Sequence, residues 1–267
     1  MLQQSEYFDE GSVFHGLVPA VFSSKLDLMT VGLPKDAAEA LWEKVWRRCD
    51  ELEKMLNWTD SESEIGRFNA GKMLAHSPVS DELGEVVDAC KEYRSRTGGL
   101  FDPALGKMQL VDHDEEDGSL SLYGVKLNLG SFSRGWLMRS CKALLDEAGA
   151  GCAFLNLGNF AFTAVGHHPY GESWKVGLSN PFTRMPLEEI ALKDASLALS
   201  CNAPGSTGRV IRPSTMQGCE DRKMCVAIGP DPLEVKVVSS AMMIATAGEE
   251  ADIREAFPDI EMSIYNL

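Results

Sequence analysis

Residues 36–56 carry the strongest periodic signal in the chain, and they require a fold in which a long helix packs on an apolar surface. Apolar side chains recur there at the 3.6-residue period of an amphipathic helix. Residues 12–33, directly before, are rich in Val, Phe and Leu and favour one or two strands. A second helix is predicted over 81–96, with Ser80 as its N-cap and Gly98–Gly99 ending it.

The rest of the chain alternates strand patterns with helix patterns. Strands are predicted at 152–157, 160–166, 173–179, 223–228 and 260–265, with two more near 187–200, and helices at 130–147, 231–247 and 249–256. Residues 56–71 and 202–222 are predicted to be polar connections, and 111–124 an acidic loop followed by a strand. No repeat or linker-like stretch interrupts the pattern. The sequence therefore predicts a single α+β domain over residues 1–267, with mixed β-sheets and helices packed on them.

The charge of the chain limits its partners. The formal net charge is −15 at pH 7, which argues against nucleic acid or an anionic membrane surface as a partner. An anionic ligand would therefore need local positive charge, from a metal ion or from placed Arg and Lys side chains. No run of 18 apolar residues is present, so no membrane span is expected.

The cysteines and the N-terminal segment bear on the compartment. Seven scattered cysteines without a CxxC pair fit a reducing environment better than a disulfide scaffold. The first residues contain no basic region followed by an apolar stretch and no lipobox cysteine. We therefore expect a cytoplasmic location.

The stretch VKLNLGSFSRGW, residues 125–136, is typical of a strand that passes through a tight turn into a helix. A helix N-terminus presents unpaired N–H groups and a partial positive charge, which suit a phosphate group. An ordinary β–α connection needs the same glycines and serines for its turn geometry. Taken alone, this stretch leaves both interpretations open.

Four motifs then occur in order along the chain. They are SESEIGRFNAG (61–71), TGGLFDPALG (97–106), the stretch just described (125–136), and FLNLGNFAFTAVG (154–166) followed by HPYGESWKVGLSNPF (168–182). In this order and spacing they resemble the ApbE family, the FAD:protein FMN transferases, over nearly the whole chain. The closest single match is TGGLFDPALG, which is similar to the family pattern Gly-x-Phe-Asp-Pro-x-x-Gly.

The resemblance implies a reaction, two cofactors and a partner. Members of the family hold FAD across its diphosphate with Mg²⁺, transfer FMN to a threonine hydroxyl of a target protein and release AMP. A divalent cation and fixed N–H donors would stabilise the charge that develops on the leaving phosphate. The expected partner is accordingly a flavin-acceptor protein. Family members are commonly periplasmic or lipoproteins, in contrast to the location expected above.

The resemblance also places cofactor contacts on particular residues. Leu100, Phe101 and Asp102 match FAD-contacting positions of the family and are intact. Asn128 replaces a family aspartate, so it keeps hydrogen-bonding reach and loses the charge. Ser131 falls on a position that meets the metal.

Further cofactor positions carry unusual residues. Arg134 replaces the usual Lys or Glu. The family segment His-Ile-Ile-Asp-Pro-x-Thr-Gly aligns with 209–215, which assigns Val210 and Ile211 to cofactor binding and puts Arg209 and Arg212 in place of the histidine and the aspartate.

The metal-binding helix start of the family departs further. It aligns with VKVVSSA, residues 235–241, which places Lys236 at the metal-binding aspartate and Ser240 at the metal-binding threonine. The metal ligands that remain by resemblance are therefore Ser131 and Ser240. Because a lysine offers no anionic oxygen, the sequence predicts a degenerate Mg²⁺ site.

These departures lead to a hypothesis about charge. Lys236, with Arg134, Arg209 and Arg212, would replace the divalent cation as counter-charge to the diphosphate. FAD binding would persist, and transfer would be weakened, because fixed cations do not activate the acceptor hydroxyl. The alternatives are an active transferase, a non-catalytic FAD-binding homologue, and a chain in which these cations are solvated surface residues and the ligand is lost.

Aromatic and catalytic residues remain open at this point. Phe101, Trp136 and Trp174 are candidates to stack on the isoalloxazine ring, although core packing is the commoner role of such side chains. None of the five histidines lies in a motif that suggests a base, so no catalytic residue is assigned.

Overall fold

The computed structural model of the protein describes residues 1–203 and 210–267. Within these ranges the helices are α1 (Lys35–Leu56), α2 (Glu64–Asn69), α3 (Asp81–Arg96), α4 (Gly130–Glu147), α5 (Pro232–Met242) and α6 (Ala247–Ala256). The strands are β1 (Gln4–Phe8), β2 (Val13–Val21), β3 (Ser24–Val31), β4 (Ser77–Pro78), β5 (Val111–Asp114), β6 (Ser119–Leu122), β7 (Ala153–Leu157), β8 (Ala161–Val165), β9 (Trp174–Ser179), β10 (Pro186–Leu192), β11 (Ala195–Cys201), β12 (Ile211–Arg212), β13 (Gln217–Gly218), β14 (Lys223–Gly229) and β15 (Glu261–Asn266).

An eight-stranded sheet forms the centre of the molecule, in the order β1-β2-β3-β7-β8-β11-β14-β15. Each pair of neighbours in it is antiparallel. The smaller pairings β9–β10, β12–β13 and β4–β6–β5 are antiparallel as well. The α+β class is confirmed, and the sheets in the described ranges are antiparallel.

The two faces of the sheet bury different cores. Alternate residues of a strand point to opposite faces, so Ala198 and Ala227 face the helices while Leu197 and Val226 face the β9–β10 hairpin. The helical side holds the larger core, to which α1, α3, α4 and α5 all contribute. The hairpin covers the smaller core around Trp174.

The structure differs from the sequence prediction at three places in the N-terminal half of the chain. The strand β1 was not expected; it is a mostly exposed edge strand with little apolar signal. The polar connection 56–71 contains α2, because Ser63 caps it by accepting a hydrogen bond from the Gly66 N–H at 2.9 Å. The acidic loop at 111–114 is strand β5, which pairs with β6.

The helix predicted over 231–247 ends earlier. It begins close to the predicted start, with Asp231 as its N-cap, but α5 stops at Met242. Thr246 then begins α6 with a capping box, in which its side chain and that of Glu249 bond each other's backbone N–H groups. No helix in the described part of the chain is long and apolar enough to cross a membrane.

Candidate functional site

The segment 125–129 before α4 has no regular secondary structure, contrary to the strand expected there. The side chain of Asn69 pairs with it instead. Its Nδ2 donates to Leu127 O and its Oδ1 accepts from Leu127 N, both at 2.8 Å. The next residue, Asn128, donates its N–H to Pro103 O at 2.8 Å. Three of the four sequence motifs therefore meet at the start of α4.

The second motif is held by a buried carboxylate. Asp102 accepts from Arg94 Nε at 2.8 Å and from the backbone N–H of Ala104 at 2.8 Å. Its side chain is 1 % exposed, and Leu100 and Phe101 before it are buried. In this structure the Asp102 carboxylate fixes the turn at residues 102–104. Whether Leu100, Phe101 and Asp102 also contact FAD stays a prediction.

The aromatic candidates are engaged within the protein. Phe101 stacks on Phe132 with ring centroids 5.5 Å apart, and Phe132 stacks on Trp136 at 5.9 Å. Trp136 Nε1 also donates to Glu82 Oε1 at 2.8 Å. Trp174 packs in the smaller core on the opposite face of the sheet. The commoner role, core packing, accounts for these contacts.

Helices α4 and α5 run antiparallel along a shared seam. At one end Ser131 and Ser240 are joined through their Oγ atoms at 2.9 Å. At the other end Arg139 forms a bidentate ion pair with Asp231, donating from Nε to Oδ1 at 3.0 Å and from Nη2 to Oδ2 at 2.6 Å. Asp231 is also the N-cap of α5, so this ion pair fixes where the helix begins.

Gly135 lies between these two contacts and lets the helices approach. A Cβ atom at this position would lie 2.9 Å from Leu233 Cδ1 and 3.2 Å from both Leu233 Cα and Lys236 Cβ. The glycine of the SFSRGW stretch is thus required by helix packing rather than by turn geometry. Because Gly135 has no side chain, Lys236 of α5 packs directly against α4.

Lys236 is buried, with 6 % of its surface exposed. Its Nζ donates to Leu199 O at 3.2 Å and to Ser200 Oγ at 3.1 Å, both on β11. The Phe160 ring centroid lies 5.4 Å from Nζ. Burial, and next the positive charge of Arg134, lower the pKa of the Lys236 amine to about 7. The alternative of a solvated surface lysine is therefore wrong.

A cluster of four hydroxyl groups surrounds this amine. Ser239 and Ser240 donate to Lys236 O at 3.1 and 3.0 Å. Since a hydroxyl carries one proton, Ser131 donates to Ser240. Ser200 in turn accepts from the Lys236 ammonium and lies 3.1 Å from Ser239, to which it donates. The cluster is satisfied when Lys236 is protonated.

Arg134 approaches the same Phe160 ring. Its guanidinium donates to Phe22 O through Nη2 at 2.8 Å, and its Cζ lies 5.2 Å from the centre of the Phe160 ring. Burial lowers the pKa of Arg134 from its ordinary value, although a guanidinium stays charged at neutral pH. Two cations therefore contact one aromatic ring beside the N-terminus of α4.

Comparison with known proteins identifies the family. The model of the ApbE family matches residues 28–264. The chain belongs to the ApbE family. A search of curated proteins finds no significant match.

Solved ApbE structures share the fold at low sequence identity. The ApbE protein from Thermotoga maritima is 14 % identical with a TM-score of 0.80, over 94 % of this chain and 96 % of that one. The flavin transferase ApbE from Vibrio cholerae is 15 % identical with a TM-score of 0.78, over 98 % and 93 %. The flavinyl transferase ApbE from Pseudomonas stutzeri, in its apo form, is 19 % identical with a TM-score of 0.76, over 97 % and 90 %.

The donor set does not fit the divalent metal that the ApbE resemblance implies. Ser131 and Ser240 meet as expected of two ligands, but both oxygens are neutral and are bonded to each other. Lys236 stands beside them with an ammonium group. Glu234, the nearest acid in the sequence, is bound to Arg96 at 2.5 Å. In the described ranges, no three His, Cys, Asp or Glu side chains converge on a metal-sized site, and Mg²⁺ requires hard, mostly anionic oxygen.

Arg212 is not available as a counter-charge. It forms a two-pronged ion pair with Glu249, with Nη1 to Oε1 and Nη2 to Oε2 both at 2.9 Å, and it also bonds Ile244 O. The hydrogen bond from Arg212 holds the pKa of Glu249 at about 2. The hypothesis that Arg212 balances the charge of the diphosphate is therefore wrong. Arg209, the other arginine of that segment, lies outside the described residues.

The two hydrophobic cofactor candidates beside Arg212 form a small hairpin. Val210 O accepts from Cys219 N at 2.8 Å, and Ile211 pairs with Gly218. Asn202, just after β11, donates to Cys219 O at 3.0 Å and ties the hairpin to the end of that strand. Between the hairpin and the C-terminal end of α5 lies an open cleft of about 520 Å³.

Four residues that matter to the site were missed by sequence reasoning. Asn69 and Phe160 lie inside motifs quoted above, so position within a motif was their signal. Arg139 stands eight residues after Ser131 on the same face of α4, a spacing that pointed to the seam. Ser200 gave no local signal, because only the pairing of β11 with its neighbours brings it to Lys236.

Proposed function

We propose that this protein binds FAD at the start of α4 and acts as a flavin transferase, moving FMN to a threonine hydroxyl of a partner protein. Residues 1–267 would act as one domain. In the reaction, the hydroxyl oxygen attacks the phosphorus of the FMN half. The bond between that phosphorus and the bridging oxygen breaks, AMP leaves with the electron pair, and the hydroxyl proton passes to solvent or to a nearby base.

One observation carries the proposal. The contact between Ser131 and Ser240 joins two positions that the family resemblance assigns to one site, although they lie 109 residues apart in the chain. Lys236 and Arg134, assigned by the same resemblance, lie in the same place. Family membership and the flavin transferases among the fold neighbours support the chemistry.

The chain's own residues would bind and orient the nucleotide. The N-terminus of α4 starts after Leu129, whose side chain cannot cap it, so the N–H groups of its first turn are suited to a phosphate oxygen. Asn128 Oδ1 accepts from the Gly130 N–H at 3.2 Å and keeps the turn in shape. Arg134 and Lys236, which both lie near the Phe160 ring, add positive potential in an otherwise acidic protein.

A second candidate function is a non-catalytic FAD-binding protein. It is favoured by the donor set beside Ser131, which lacks the carboxylate that would hold a metal. Both candidates predict FAD binding, and they differ only in transfer.

Two assays test these candidates. FAD is titrated into the purified protein by calorimetry, and a threonine-containing acceptor peptide is then incubated with protein and FAD. A mass increase of the peptide equal to FMN less water, with release of AMP, supports transfer. Binding without this increase supports the second candidate, and the absence of FAD binding contradicts both. Ser131→Ala serves as the site variant and exposed Ser61→Ala as its control.

A further inference from the structure

The buried Lys236 ammonium has a donor left over. An ammonium carries three hydrogens. Two of them go to Leu199 O and Ser200 Oγ. Within residues 1–203 and 210–267, these are the two hydrogen bonds that Nζ donates, and the Phe160 ring centroid lies 5.4 Å from it. The third hydrogen is therefore free to meet a ligand.

Its charge is also left without a counter-charge. No carboxylate lies within 4.0 Å of Lys236 Nζ in the described parts of the chain. The charged or titratable groups that act on it are Arg134 from α4 and Cys201 from β11. Buried charges in proteins are ordinarily paired or bound to a metal. An unpaired buried ammonium next to a guanidinium points to an anion as the missing partner.

The position of this ammonium conflicts with a metal at the same place. Lys236 Nζ and Ser240 Oγ both lie within hydrogen-bond distance of Ser200 Oγ, at 3.1 and 3.3 Å. A divalent cation on Ser131 and Ser240 would be close to a fixed positive charge and would gain no anionic ligand. The lysine and the metal are alternatives.

We propose that Lys236 is a built-in cation that binds the diphosphate of the flavin nucleotide, so that binding needs no divalent metal. This inference rests on the proposed function. The ammonium supplies one charged hydrogen bond to a phosphate oxygen, and Arg134, which approaches the same Phe160 ring, adds positive potential. The ligand class is a nucleotide diphosphate, whose two negative groups match the charge that the site lacks.

The test compares FAD affinity with and without metal. The full-length protein is titrated with FAD by calorimetry in EDTA and again in excess Mg²⁺, at one ionic strength. Equal affinities within about twofold are expected. Lys236→Met should weaken binding by about tenfold or more in both buffers, because a charged hydrogen bond is lost. Lys44→Met, an exposed lysine on α1, makes the same change of net charge and should leave affinity unchanged.

Two further variants protect the test against loss of structure. Lys236→Arg keeps the charge and should retain metal-independent binding, whereas Lys236→Asp should bind FAD weakly in EDTA and recover with Mg²⁺. Far-ultraviolet circular dichroism confirms that each variant is folded. A wild-type protein that binds FAD only with Mg²⁺ overturns the inference and leaves the proposed function standing, and so does a folded Lys236→Met protein of unchanged affinity.

Inorganic pyrophosphate separates the anion site from the flavin. If the protein binds pyrophosphate in EDTA through Lys236 but does not bind FAD, the cation site stands and the proposed function fails. If neither pyrophosphate nor FAD binds in either buffer, both fail.

Discussion

Replacing Lys236 by methionine should stabilise the protein in the absence of ligand, and it should do so more at pH 7 than at pH 9. Burial lowers the pKa of this amine to about 7, against 10.5 for an exposed lysine. A group of lowered pKa is protonated more readily in the unfolded chain, so it destabilises the folded protein at low pH. The penalty is complete below pH 7 and is lost as the pH rises towards 10.5.

The size of the effect follows from the pKa difference. About 3.5 pKa units at 1.36 kcal/mol each give a full penalty of about 5 kcal/mol. Because the amine is half protonated at pH 7, the penalty there is about 4 kcal/mol, and it falls to about 2 kcal/mol at pH 9. Lys236→Met also leaves Leu199 O without its donor, which costs about 1 kcal/mol at either pH. The net gain in free energy of unfolding is therefore about 3 kcal/mol at pH 7 and about 1 kcal/mol at pH 9.

Urea unfolding of both proteins at the two pH values measures this gain. The change between pH 7 and pH 9, about 2 kcal/mol, is the decisive quantity, since other titrating groups are common to both proteins. Lys44→Met is the control and should alter stability by less than about 0.5 kcal/mol at each pH. The reasoning is refuted if Lys236→Met is less stable than the wild type at both pH values, or if its effect is the same at both.

Four other predictions can be checked with standard assays. Gly135→Ala should lower the free energy of unfolding by about 1–3 kcal/mol, because α4 and α5 must separate, and calorimetry should show weaker FAD binding; full retention of both would contradict the packing argument. Asp231→Ala should cost about 2 kcal/mol in urea unfolding, since α5 loses its N-cap and an arginine of α4 loses its partner, whereas a cost near zero would mean that the seam is not held there. FAD affinity should be highest below pH 7 and fall above it, as Lys236 loses its proton, and a flat profile from pH 6 to 9 in wild type would argue against a charged lysine at the site. In the native protein a thiol reagent should modify no more than two of the seven cysteines, because five are buried and only Cys152 and Cys201 are partly exposed; fast reaction at Cys49, Cys90 or Cys141 would show that the helix carrying it, α1, α3 or α4, opens readily.

Sequence reasoning located most of the regular elements because their signals are local. The bounds of α3 were predicted to the residue, since Ser80 caps it and glycines follow it. The helix α2 was missed because six residues carry too little periodicity, and its buried Ile65 and Phe68 matter only once the core exists. The edge strand β1 was missed for a related reason. It is defined as a strand by its pairing with β2, which the local sequence does not reveal.

The site was predicted in part, and the missing part was its environment. Motif resemblance assigned Lys236, Ser131 and Ser240 to one place, and the structure brings them together. The sequence did not indicate whether Lys236 would be solvated or buried, because its burial depends on how closely α5 approaches α4 and β11. That environment also changes its chemistry, because an amine with a pKa of about 7 can accept a proton at neutral pH.

The hydrogen bond between Ser131 and Ser240 joins α4 to α5, so the site around it can form only when both helices are packed together. Its two serines are separated by 109 residues, so their meeting requires a large loop to close and depends on the strands between them being in place. A chain truncated after β11 would lack α5, and with it the amine. Nucleotide binding would then stabilise only the complete native state, and a bound flavin would report that the last quarter of the polypeptide has packed against the rest.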